Sequence, residues 1–89
     1  MTAPRRLTIR NKRGLHARAA AKFVTVANEY DAKISVERNG QTVAGRSIMG
    51  LMMLAASIGT DIVVSAEGPD ATAALDAVQT LVENKFEED

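Results

Sequence analysis

Lys33-Ile34-Ser35-Val36-Glu37-Arg38-Asn39-Gly40-Gln41-Thr42-Val43-Ala44 is the stretch that decides the fold. Ile34 and Val36 alternate with polar neighbours, the period of a strand with one buried face. Asn39-Gly40 supplies two residues that accept positive φ, the requirement of a two-residue hairpin turn. Gln41–Ala44 is therefore the paired return strand. Upstream, Arg5-Arg6-Leu7-Thr8-Ile9-Arg10 alternates in the same way and reads as another half-buried strand. Residues 11–15 form a loop, and His16 to about Tyr30 reads as an Ala-rich helix with Ala20, Phe23, Val24 and Ala27 on one side. Downstream, Gly45 and Arg46 lead to Ser47, a helix N-cap. Ile48 to about Ser57 is a short helix ended by Gly59. Asp61–Glu67 is a fourth strand and Gly68-Pro69-Asp70 a turn and cap. Ala71 to about Phe86 is a final helix with Leu75, Val78, Val82 and Phe86 inward.

The element order is thus β-α-β-β-α-β-α. Strands with a single apolar face call for helices on one side and water on the other. The expected class is α+β: an open-faced β-sandwich, a four-stranded antiparallel sheet with three helices on one face. The 89 residues suit one domain spanning 1–89. No repeat, linker or low-complexity segment interrupts it.

Composition narrows the chemistry. Hydrophobic residues make up 46% of the chain, which argues for a folded core and against disorder. The chain has no Cys and one His, which excludes disulfides, thiolate metal sites and multi-histidine metal sites within one chain. No metal or cofactor is expected. No apolar run reaches the length that spans a bilayer, and no signal-peptide core follows the basic start. The expectation is a cytoplasmic protein without membrane insertion. Eleven basic and eleven acidic residues cancel, but unevenly along the chain. Arg5, Arg6, Arg10, Lys12, Arg13, Arg18 and Lys22 crowd the first quarter, whereas Glu83, Glu87, Glu88 and Asp89 close the chain. The basic quarter suits an acidic protein surface. With only Phe23, Tyr30 and Phe86 as aromatics there is no stacking platform, so nucleic acid is not the expected partner.

The basic cluster surrounds the single histidine, in Gly14-Leu15-His16-Ala17-Arg18-Ala19-Ala20-Ala21. Taken alone, a histidine near a helix start is usually a polar surface residue. Its neighbours argue for more. Gly14 marks a tight turn and a close approach by another molecule. The first N–H groups of a helix lack internal partners and carry the positive end of the macrodipole, which makes a phosphate site. An imidazole nitrogen there can carry a phosphoryl group. The N–H groups of Ala17 and Arg18 and the Arg18 guanidinium would neutralise its charge.

A second element is unusual. In the helix from Ile48 to Ser57, Leu51, Leu54, Ala55 and Ile58 provide a core-facing stripe, leaving Ile48, Met49, Met52 and Met53 outside it. Met side chains repack readily against different partners, so this is an expected docking surface; burial on several sides is the plainer alternative. Ser47 is either a simple N-cap or a phosphorylation site, where a phosphate would place negative charge beside that surface.

The runs Gly14-Leu15-His16-Ala17-Arg18 and Ser47-Ile48-Met49-Gly50-Leu51-Met52, with the β-α-β-β-α-β-α order, resemble the HPr family, the histidine-containing phosphocarriers of the bacterial phosphoenolpyruvate-dependent phosphotransferase system. The resemblance covers essentially the whole chain. It implies that His16 accepts a phosphoryl group on Nδ1 from phosphorylated enzyme I and passes it to a histidine of an enzyme IIA. It implies that Arg18 stabilises the phosphate and that Ala17 contributes its backbone N–H. Ser47 matches the family's regulatory serine, the target of an HPr kinase/phosphorylase, and Ile48, Met49 and Met52 match its partner-docking surface. Such a protein is a stoichiometric carrier, not an enzyme, and a monomer is expected. The alternative is a regulatory binding module switched at Ser47. One position departs from the family pattern: Ala19 stands where Pro usually follows the motif arginine. Proline is favoured in a first helical turn but not required there. Ala19-Ala20-Ala21 and Met49-Gly50-Leu51-Met52-Met53-Leu54 look more like the nitrogen-related branch than the sugar-transport branch.

Overall fold

The computed structural model describes residues 3–88. Its strands are β1 (Arg5–Thr8), β2 (Lys33–Arg38), β3 (Gln41–Ala44) and β4 (Asp61–Glu67). Its α-helices are α1 (Ala17–Ala27), α2 (Ile48–Met53) and α3 (Ala71–Glu83), followed by a single turn over Lys85–Glu87. The four strands form one antiparallel sheet in the order β1-β4-β2-β3. This is the expected α+β architecture, with three helices against an open sheet.

Register follows from alternation. Leu7 lies opposite Ile62, Val36 opposite Val64, and Ile34 opposite Ala66, so all six buried side chains share one face. Phe23 of α1 and Leu75, Val78 and Val82 of α3 are fully buried in the same core. Arg5, on the covered face at the sheet edge, donates to Asp76 Oδ1 at 2.7 Å and Gln79 Oε1 at 3.0 Å on α3. At the β2–β3 turn Asn39 and Gly40 take φ of +52° and +80°, as the hairpin requires.

Four boundaries differ from the sequence reading. The first helix begins at Ala17, with His16 as its extended N-cap, and ends at Ala27 instead of about Tyr30. The first strand ends at Thr8 as a ladder, although Ile9 still exchanges 2.8 Å hydrogen bonds with Thr60 and Gly59. The helix after Ser47 ends at Met53, well before Ser57. Ala55 enters the left-handed region at φ +52°, and the Arg38 guanidinium donates to the Leu54 carbonyl at 3.1 Å. Ala55 is therefore exposed, and Ile58 is 53% exposed instead of facing the core, where Ala56 takes its place. The final helix stops at Glu83. Phe86 is fully buried as expected, but it reaches the core from a left-handed turn in which Lys85, Phe86 and Glu87 have φ of +57°, +54° and +61°. Residues of this kind in the left-handed region cost about 1–2 kcal/mol each. Burial of the Phe86 ring and a 2.7 Å bond from Lys22 Nζ to the Phe86 carbonyl hold the turn in place.

Candidate functional site

The loop before α1 is fixed from below. The Leu15 N–H donates to the Ala56 carbonyl at 2.9 Å, and the Gly14 N–H to Asn11 O at 3.2 Å. Gly14 has φ +65°, and a Cβ there would overlap the Ala56 carbonyl oxygen. The close approach implied by this glycine is thus made by the chain itself, the segment just after α2, and not by another molecule. The early end of α2 is what delivers Ala56 to that contact. Leu15 is buried, and His16 follows as the N-cap of α1 with extended backbone, φ −75° and ψ 179°.

The His16 ring is part-buried, with its side chain 21% exposed. Its Nδ1 accepts from the Arg18 N–H at 3.3 Å, the cap of the helix. Ala17 is the first residue of α1, so its N–H belongs to the unpaired set at the positive helix end. The Arg18 side chain is exposed. With Lys12, Arg13 and Glu88 it lines a shallow depression of about 290 Å³ beside the ring, and Arg13 and His16 border a second hollow closed by Leu15, Ala55, Ala56 and Ser57. Arg5 is engaged on α3, Arg6 lies 3.7 Å from Asp61, and Lys22 holds the tail. Lys12, Arg13 and Arg18 are the basic groups that line the hollows adjoining Glu88 and His16.

Two residues of the site were not anticipated. Glu88 sets its carboxylate on His16 Nε2, both oxygens at 3.0 Å. The buried Asn11 side chain donates from Nδ2 to Glu88 Oε1 at 2.7 Å and to the Gly14 carbonyl at 2.8 Å, while its Oδ1 has no partner among the described residues. The Asn11 amide holds the Glu88 carboxyl below the usual carboxylate range. Burial opposes that shift, and the hydrogen bond and charge of His16, with Lys22, reinforce it. Asn11 carried a usable signal, an amide in the loop just before the motif. Glu88 carried none, because acidic residues closing a chain read as solvated.

Ser47 caps α2, its Oγ accepting from the Gly50 N–H at 2.9 Å. Beyond it Ile48, Met49, Met52 and Met53 are exposed, Met49 by 72%, while Leu51 and Leu54 face the core. Ile58, after the end of α2, is exposed as well. Among the described residues no cluster of three or more metal-ligating side chains occurs, and no helix is long and apolar enough to cross a membrane.

The family model described as the PTS HPr component phosphorylation site matches residues 3–84. A phosphocarrier protein HPr of Cupriavidus necator is 47% identical over 81 residues, 91% of each chain. A phosphocarrier protein NPr of Shewanella violacea is 45% identical over 84 residues, 94% of this chain and 92% of that protein. Relatives bearing names of both kinds thus match to a similar degree. In structure, HPr-C-His from Thermoanaerobacter tengcongensis superimposes with a TM-score of 0.93 at 42% identity, covering 99% of both chains.

Proposed function

This chain belongs to the HPr family of phosphotransferase-system phosphocarriers, and on that premise we propose that His16 takes a phosphoryl group from phosphorylated enzyme I and gives it to a histidine of an enzyme IIA. The observation that carries the reading is the placement of Nδ1. It lies at the N-terminus of α1 and faces the Arg18 N–H, and Lys12, Arg13 and Arg18 line hollows that adjoin Glu88 and His16. When phosphorus binds Nδ1, the Arg18 N–H is positioned to donate to a phosphoryl oxygen in place of the nitrogen. The helix end and the guanidinium of Arg18 then offset the added negative charge, and the Ala17 N–H supplies a further donor. Transfer of this kind rests on positioning and electrostatics more than on covalent chemistry by the protein. The protein acts as a carrier, used once per transfer and regenerated.

Ile48, Met49 and Met52 form the surface on which the two partner proteins dock, and the basic groups near His16 steer acidic partner surfaces toward it. A second reading is favoured by Ser47. Phosphate added there by an HPr kinase/phosphorylase would replace a capping hydroxyl and put charge at the border of the docking surface, changing partner choice without touching His16. The same reading makes the protein a cytoplasmic monomer.

Intact mass after incubation with enzyme I and phosphoenolpyruvate tests the proposal. One added phosphate, lost on brief acid treatment and absent in His16→Ala, is expected. No added phosphate with an enzyme I that labels another HPr would refute it and leave Ser47-centred regulation as the leading account.

A further inference from the structure

The apolar residues of α2 are sorted by chemistry as well as by burial. Leu51 and the C-cap Leu54, 0% and 3% exposed, face the core, whereas Met49, Met52 and Met53 are 72%, 41% and 65% exposed. The inward positions are hydrocarbon, and every thioether of the helix faces out. We propose that these three methionines form a reversible oxidation site: a hydroperoxide converts them to sulfoxides, and the modified surface loses affinity for the enzyme I that would phosphorylate His16. The inference rests on the reading of this surface as a docking site and adds a modification that governs it.

The chain has four methionines and no cysteine, so thioethers are its readiest two-electron targets for a peroxide. Three of the four fall within five consecutive residues, 49–53. Met49 and Met52 stand at i, i+3, and Met49 and Met53 at i, i+4, so the three adjoin on the helix surface. Gly50, between them, packs toward Val43 of β3 and brings no side chain to shelter them. Accessibility orders the sulfurs: Met49 and Met53 should react before Met52.

The chemistry balances without any group from the protein beyond the sulfur. A sulfur lone pair attacks the terminal peroxide oxygen, the O–O bond breaks, and the hydroxyl proton passes to the leaving oxygen. Sulfur is oxidised to the sulfoxide. The hydroperoxide is reduced to an alcohol, or to water when the oxidant is hydrogen peroxide. In the return step a thiol-dependent sulfoxide reductase supplies two electrons. The sulfoxide oxygen leaves as water, and two thiols close to a disulfide.

The consequence follows from where the sulfurs stand. In the free protein each sulfoxide oxygen faces water, which satisfies it, and the leucine-lined core is unchanged. In a docked complex the same oxygen is an acceptor stripped of water against an apolar partner surface, which is costly. The apolar contact of the thioether is lost as well. The penalty therefore falls on the complex and not on the fold. His16 lies on another element, as the N-cap of α1, and its chemistry is untouched. A loss of binding that leaves the reacting centre intact raises KM at constant kcat.

The test uses the full chain as wild type and as the triple variant Met49→Leu, Met52→Leu, Met53→Leu, each with and without hydrogen peroxide. Intact mass counts the added oxygens, and peptide mapping separates α2 from Met1. In the wild type, oxygen should appear on Met49 and Met53 before Met52, with Tm unchanged. The KM of the oxidised protein as substrate of enzyme I should rise about ten- to a hundredfold at constant kcat, the scale of one or two apolar side chains lost from an interface. A thiol-dependent methionine sulfoxide reductase should return KM to its starting value. In the leucine variant KM, whatever its starting value, should not move with peroxide. Three sulfoxides with KM unchanged, or an equal rise in the leucine variant, would overturn the oxidation site alone, because Met49→Lys tests the docking surface separately. Failure of the untreated wild type to accept phosphate from an enzyme I that labels another HPr would overturn the phosphocarrier reading and this site with it.

Discussion

Gly14→Ala probes the joint on which the site is built. Its φ of +65° lies where an L side chain costs about 1–2 kcal/mol, while the stiffer unfolded chain returns about 0.4–1 kcal/mol. The new Cβ would also overlap the Ala56 carbonyl oxygen and meet Ser57 Cα at 2.9 Å, both backbone atoms that cannot swing aside. Forcing them apart costs about 1–3 kcal/mol, as overpacking does, and weakening the 2.9 Å Leu15–Ala56 bond costs about 0.5–1.5 kcal/mol more. The sum is about 2–5 kcal/mol, which in an 89-residue domain lowers Tm by about 10–30 °C. Gly59→Ala is the matched control, because Gly59 has φ +84° but nothing within 4 Å of the point where a methyl would stand. It should lose only about 1 kcal/mol. Urea and thermal unfolding of both variants decide the matter. Equal losses in the two would refute the argument that the segment after α2 braces the histidine loop.

Three further outcomes follow from the structure. Phe86→Ala should lose about 3–5 kcal/mol in urea unfolding, since the ring is fully buried, and should also free Glu88 from His16, seen as a change in the His16 ring nitrogens by NMR. Because the Glu88 carboxyl is held below its ordinary range, its contribution to stability is present at neutral pH and disappears as pH falls through its folded-state value. The stability gap between wild type and Glu88→Gln should therefore narrow on acidification, and a gap that widens in acid would contradict the assignment. Met49→Lys should change stability by less than about 0.5 kcal/mol, given 72% exposure, yet slow phosphoryl acceptance from enzyme I in a rate assay.

Much of the architecture was legible because it is written in local periods. Ile34 and Val36, then Asn39-Gly40, fix a hairpin in a dozen residues, and Leu75, Val78 and Val82 fix a helix face. The same periodicity misled at two ends. Phe86 falls four residues after Val82 and continues the stripe on paper, although Asn84, a residue common at helix ends, was the available stop signal. Ala55 and Ile58 likewise extend the stripe of Leu51 and Leu54, but the helix turns left-handed at an alanine, which no propensity announces. In the site, the place of His16 at a helix start was legible because a glycine loop and an Ala-rich helix are adjacent in sequence, although the residue stands as the extended N-cap and not as the first helical residue. Glu88 was not, because its contact spans 72 positions and depends on three left-handed residues held by distant packing.

The central claim is that phosphorus bonds to Nδ1 of His16. Phosphorus–nitrogen correlated NMR on nitrogen-15-labelled protein, after treatment with enzyme I and phosphoenolpyruvate, reads that bond directly. A single coupling to His16 Nδ1 that vanishes after brief acid is the expected result. Coupling to Nε2, or phosphate found only on Ser47, would contradict it.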